Sequence, residues 1–294
     1  MDDENVYTAL SEADADARWA YGTGFEDPMA GVETAVPAGV DHADLVAYCL
    51  MLGDDALVLA QRLTEWVASA PELEEEVALA NIGLDLLGQA RWLLGRAGQV
   101  EGAGRDEDVL AFLREEHEFG NVRLVEAPNG DFAETIVRLL VFATWRLALF
   151  EELTRSRDPV LAAVAANGVK ELTYHRDYAA QWAVRLGDGT EESHRRMRDG
   201  LAAVEPYVGE LFTPHDVERR LAAGGVAVDP SGLRAGFDEV FGAVLAEATL
   251  ERPDLRALAG VAGRMGRDGV HTEAMGRLLA EMQSVARAHP GATW

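Results

Sequence analysis

From Asp41 onward the chain alternates apolar and polar positions in steps of three and four, the period of an amphipathic helix. Four stretches of about 25 residues each carry such a stripe. The first holds Leu45, Tyr48, Leu52, Ala56, Leu59, Leu63 and Trp66, and the second Leu79, Ile82, Leu86, Gln89 and Leu93. The third holds Ile136, Leu140, Ala143, Leu147 and Phe150. The fourth holds Leu161, Val164, Gly168, Leu172, His175, Ala179, Trp182 and Leu186.

Capping residues mark the ends. Asp41 opens a helix to about Val67. Ser69-Ala-Pro-Glu72 reads as a capping box opening a helix to about Gly95. Asp106 opens a short helix, Asp131 one to about Arg155, and Asp158-Pro159 one to Gly187, read as a C′ glycine. Thr190 opens a helix ending before Pro206, and Thr213-Pro214 a short one; further helices are expected at about 231–250 and 272–288. Strand-like alternation is confined to Gly225–Val228. Two helix pairs joined by a long connection, roughly 96–130, predict an all-α, ferritin-like four-helix bundle with additional C-terminal helices. Residues 1–40 are acidic and lack a sustained period, so they read as a disordered extension, and 41–294 as the helical domain.

Charge narrows the function classes. The formal net charge is −25, which opposes binding to nucleic acid or to an anionic membrane surface. Arg138, Arg146, Asp54 and Asp55 break the longest apolar runs, so no membrane span is expected. Residues 1–10 have no apolar leader core, and Cys49 is the only cysteine, so the expected setting is cytoplasmic, without disulfides or a cysteine-based zinc site.

A ferritin-like bundle invites a search for a di-metal site, built from a carboxylate on each of two helices and Glu-x-x-His on each of the other two. The mid-bundle positions lack those donors. Where the second helix would carry Glu-x-x-His it has Leu86-Leu-Gly-Gln89; the fourth has Leu172-Thr-Tyr-His175, the third Ala143, and the first Ala56 or Leu59. His175 therefore reads as a hydrogen-bonded core histidine, with Gln89, Tyr174, Glu171 and Asp85 as candidate partners. The metal alternative would join Glu171 and His175 to Asp85 or Glu151. Glu115-Glu116-His117-Glu118 points in several directions and reads as a solvated face. Arg195, Arg196 and Arg198 read as intramolecular ion-pair partners, and Cys49 as core.

Long motifs then carry a resemblance: Tyr48–Leu63, Pro71–Arg91, Asn129–Arg138, Lys170–His175, Gly187–Met197, and His271 with the terminal Pro290–Trp294. Over about 42–294 the chain resembles the structural C subunits of phenylacetyl-CoA epoxidase complexes. The resemblance implies a non-catalytic subunit of a di-iron monooxygenase that epoxidises the ring of phenylacetyl-CoA in aerobic phenylacetate degradation. It implies a catalytic A subunit as partner, with B and reductase subunits. The di-iron centre would lie in the A subunit and the flavin and iron–sulfur groups in the reductase, leaving no cofactor in this chain. Leu86, Gln89, Ala143, Leu172 and His175 would be the vestigial di-iron positions. The alternatives are an independent ferritin-like metalloenzyme with a rearranged metal site and a free-standing helical module. Leu139, Val141, Phe142, Trp145 and Leu149, with Leu84, Leu87 and Trp92, are apolar residues outside the core stripes. Some of them are expected to pack against the shorter helices of this chain, and the remainder predicts an apolar face turned toward a partner.

Overall fold

Aspartates start four of the helices. In the computed structural model, which describes Met29, residues 31–290 and Ala292, Asp41 accepts the amide of Asp44 and opens α1 (His42–Thr64). Asp106 does the same for α3 (Glu107–Phe112), Asp131 for α4 (Phe132–Leu153) and Asp158 for α5 (Pro159–Gly187). These carboxylates satisfy amides that have no partner within the helix. Thr190 caps α6 (Glu191–Val208), and the His215 imidazole caps α7 (Asp216–Ala223). The remaining helices are α2 (Leu73–Glu101), α8 (Arg234–Glu247) and α9 (Glu273–Ala288).

Four boundaries differ from the sequence reading, each for a local reason. The Ser69 capping box does not form. The amides of Ser69 and Ala70 bond back to the Trp66 carbonyl, and α2 starts after Glu72, whose side chain makes no cap bond. α2 runs past Gly95 to Glu101 and ends where Gly102 adopts a left-handed φ of 68°. Gly187 is not a C′ glycine but the last helical residue. A Cβ there would lie 2.3 Å from the Ala248 carbonyl oxygen, so the position is small because another segment crosses it. Pro206 lies inside α6; it releases the carbonyl of Ala202, an exposed residue, so water can replace the lost bond. No strand forms at Gly225–Val228, and β-pairing among the described residues is a single bridge between Val261 and Arg264.

The long helices form two pairs, α1 with α2 and α4 with α5, and α2 lies against α5 to join them. The fold is all-α, a ferritin-like bundle. The crossover carries α3 and short 3-10 turns at Glu116–Glu118 and Arg123–Glu126. The predicted stripes fill the core, with Trp66, Trp182 and Leu186 half-buried toward its ends. α4 is also covered by α6 and α8, which buries Leu139, Val141, Phe142, Trp145 and Leu149. The cover expected for part of the set takes all five of these residues into the core; Trp92 is half-buried, and only Leu84 and Leu87 of the set are exposed, so the exposed apolar face is smaller than the sequence suggests.

The compact unit begins at Val32. Of the acidic segment 1–40, residues 1–28 and residue 30 lie outside the described ones. Residues 32–40 have no regular helix or strand, and the Thr34 carbonyl accepts from Arg96 Nη1 at 2.6 Å. No helix among the described residues is long and apolar enough to cross a membrane.

Candidate functional site at the bundle centre

A cation is built into the middle of the four-helix core. Arg146, one helical turn after Ala143 on α4, has a fully buried side chain. Its Nε donates to Gln89 Oε1 of α2 at 3.0 Å, and its Nη2 to the Leu52 carbonyl of α1 at 3.1 Å. Its Nη1 lies 3.8 Å from Asp55 Oδ2. The guanidinium also sits over the ring of Phe150, 4.5 Å from its centroid. Gln89 passes the contact onward, its Nε2 donating to Glu171 Oε2 of α5 at 2.8 Å. One guanidinium thus ties together all four long helices.

Asp55 is held from a second side by Arg267, whose Nη1 and Nη2 each donate to it at 2.9 Å. Its neighbour Asp54, also fully buried, takes Arg114 and the Gly120 amide at 2.9 Å. Adjacent residues on a helix point about 100° apart, which lets one dipeptide anchor the crossover and the segment before α9 separately.

Burial and pairing compete in these groups. Burial pushes the Arg146 guanidinium down to about 10, with Asp55 pulling the other way. For Arg267 burial acts in the same downward sense, but Asp55 and Glu218 outweigh it and hold it above the ordinary arginine value. Glu171 is raised above the usual carboxylate range, first by burial; the Gln89 bond opposes this and nearby Asp85 adds to it. Asp54 is likewise raised by burial, against the pull of Arg114.

Leu86, Gln89, Ala143, Leu172 and His175 are all buried. Gln89 bridges Arg146 and Glu171, while His175 Nε2 meets Asp85 Oδ2 at 2.9 Å. Asp85 is thus the partner of His175, not Gln89 or Tyr174; Tyr174 is exposed and touches His175 only ring edge to ring. Leu86, Ala143 and Leu172 offer no donor side-chain atom. Glu151 is exposed. Among the described residues no three His, Cys, Asp or Glu groups converge as a metal site would require.

The other candidates resolve simply. Arg195 pairs with Glu192 and Asp199, and Arg196 with Glu192 and Asp131. Glu115 pairs with Arg287, and Glu116–Glu118 is a 3-10 turn without a buried side chain. Cys49 is fully buried and its thiol pKa is pushed up by burial. Sequence reasoning missed the roles of Arg146, Asp54 and Asp55, although their interruption of apolar runs was the signal.

These helices and their polar centre fall within a longer match. The family model for phenylacetic acid catabolic proteins matches residues 30–294. The chain belongs to that family. A relative from Escherichia coli (strain K12), the C subunit of 1,2-phenylacetyl-CoA epoxidase, is 47% identical over 250 residues, covering 85% of this chain and 99% of the relative. The family's match spans every helix of the bundle as well as α6–α9.

Proposed function

We propose that this chain is the non-catalytic structural subunit of a multicomponent di-iron monooxygenase that epoxidises phenylacetyl-CoA, pairing with a catalytic A-type subunit. The observation that carries the non-catalytic part is Arg146. A di-metal carboxylate site needs several anionic donors around two divalent cations. Here the available carboxylates, Asp55 and Glu171, face a fixed guanidinium, directly or through Gln89. Metal ions brought to this centre would meet an existing positive charge, with leucine and alanine at three of the vestigial positions. The residues present do not fit the di-iron group. A buried carboxylate without a countercharge costs several kcal/mol, so a bundle without metals needs an internal cation. Arg146 and Arg267 supply it.

The 1,2-phenylacetyl-CoA epoxidase part rests on the likeness to the E. coli protein. In this reading the chain holds no cofactor; the di-iron centre belongs to the A-type partner, and the flavin and iron–sulfur groups to a reductase subunit. B-type and reductase subunits complete the complex. The test is turnover of phenylacetyl-CoA by the co-expressed subunits with and without this chain. Activity that depends on this chain, yet survives Gln89→Ala and His175→Leu in proportion to assembled complex, supports the reading. Turnover by this chain alone with iron and a reductant contradicts it.

A further inference from the structure

The exposed apolar residues of α2 fall along one line. Leu73, Val77, Leu84 and Leu87 are 70, 52, 58 and 45% exposed. Their spacings place them on the helix face opposite the buried residues Ile82, Leu86, Gln89 and Leu93. Gly88 extends the line, and a Cβ built there meets nothing within 4 Å. Fourteen helical steps from Leu73 to Leu87 span about 21 Å. On α5, Tyr174 lies next to His175, which meets Asp85 of α2; it is 54% exposed, its ring 6.4 Å from that of Tyr178.

The seam between α2 and α5 is acidic. Asp85 uses Oδ2 for His175, and Glu171 uses Oε2 for Gln89. Their other carboxylate oxygens have no hydrogen-bond partner among the described residues. Glu74, Glu75 and Glu76 form the first turn of α2 and point in different directions, Glu75 accepting from Tyr178 and Trp182 of α5. Arg146 reaches Glu171 only through Gln89, and Arg91 is already held by Glu107 at 3.1 Å.

We infer that this face of α2, with the α2–α5 seam, seats a helix of a different subunit. That helix carries a leucine-type stripe and places an arginine or lysine over Asp85 and Glu171. The shape argument is the straight apolar line, which matches the groove-filling ridge of a second helix. The charge argument excludes the other occupants. A second copy of this chain would bring seam against seam and carboxylate against carboxylate, and an anionic lipid surface meets the same repulsion. The inference rests on the proposed pairing with an A-type subunit and names the surface that pairing uses.

The test is titration of the purified full chain against the co-encoded A-type subunit, with binding read by sedimentation velocity. The variants are Leu84→Glu with Leu87→Glu, and separately Tyr174→Glu; Val261→Glu, at an exposed site on the 251–265 segment, is the control. Each variant's helical circular dichroism and melting temperature are compared with the parent, and exposed positions are expected to leave both unchanged. The expected result is affinity weakened about tenfold or more by the α2 pair and by Tyr174→Glu, and unchanged by Val261→Glu. Equal affinity in all variants, or equal weakening by the control, overturns the assignment of this face while leaving the pairing intact. No association of the parent chain overturns the pairing itself, and this surface with it.

Discussion

Arg146 Nε donates to Gln89 Oε1 at 3.0 Å, and the same amide donates to Glu171 2.8 Å away, so a single glutamine relays a buried positive charge to a half-buried negative one. Both functions of the amide are used, and neither leucine nor glutamate could serve in its place. The bond gives Gln89 a structural task at the centre of the second helix.

Removing the cation should be severe. Arg146→Met leaves Gln89 Oε1 and the Leu52 carbonyl without their donor and strips Glu171 of the positive charge relayed to it, while Asp55 keeps Arg267; removing one partner of a buried ion pair costs about 3–5 kcal/mol. Adding Glu171→Met removes one stranded acid, so the double variant should cost less than the sum of the two single changes. Urea denaturation of the three variants measures this; strict additivity would show that the two groups are not coupled.

His175→Leu should be milder. It leaves Asp85 without its partner, but Asp85 is 38% exposed, so water can take over. The expected cost is about 1 kcal/mol, toward the lower end of the range for a lost hydrogen bond that strands a group. Assembly with partner subunits should persist. Full stability and assembly without turnover would instead assign His175 a chemical role.

His271 predicts a pH dependence. Its Nδ1 meets Glu126 Oε1 at 2.7 Å and its Nε2 meets the Phe119 carbonyl at 3.0 Å. Glu126 also accepts from Asn121 and from the Thr272 amide, so both ring nitrogens face acceptors. Burial acts to lower the imidazole pKa, but the Glu126 bond and charge, the Phe119 carbonyl and nearby Glu116 together raise it above 6.5. Arg62, bonded to the Glu126 carbonyl, is the cation on the same side. A raised folded-state pKa gives stabilisation that is complete below about 6.5 and is lost as pH rises through the folded value. The parent melting temperature should therefore fall from pH 6 to 9 more steeply than that of His271→Gln. Asp54, Glu210 and Glu218, whose carboxyls burial also raises, are common to both proteins, so the comparison isolates His271. Parallel curves would contradict the clasp.

Cys49 should not react with a thiol reagent in the native protein and should react once the chain unfolds. Its side chain is fully buried and burial disfavours the thiolate. Rapid native-state labelling would place a breathing motion at the centre of α1.

Much of the bundle was legible because helical periodicity and aspartate caps are local signals. Asp131 and Asp158 fix helix starts within the chain segments that contain them, and the stripes on α1, α2, α4 and α5 name the core. The differences come from tertiary contacts. Nothing near Gly187 in sequence announces the Ala248 carbonyl that crosses it. Trp145 and Leu149 read as surplus apolar surface because the cover supplied by α6 and α8 is remote in sequence. At the site, the five positions read as vestigial lie in the core, but Arg146 was visible only as a break in an apolar run. Its meaning depends on Gln89, fifty-seven residues away, and on Asp55.

Iron content after anaerobic loading tests the central claim most directly. The purified chain is incubated with excess Fe(II), exposed to oxygen, desalted and analysed for metal and for visible absorption. With Arg146 at the bundle centre, the expected result is far less than one iron per chain and no oxo-bridged chromophore. About two irons per chain with such a chromophore, the content of an intact di-iron bundle, would contradict the account.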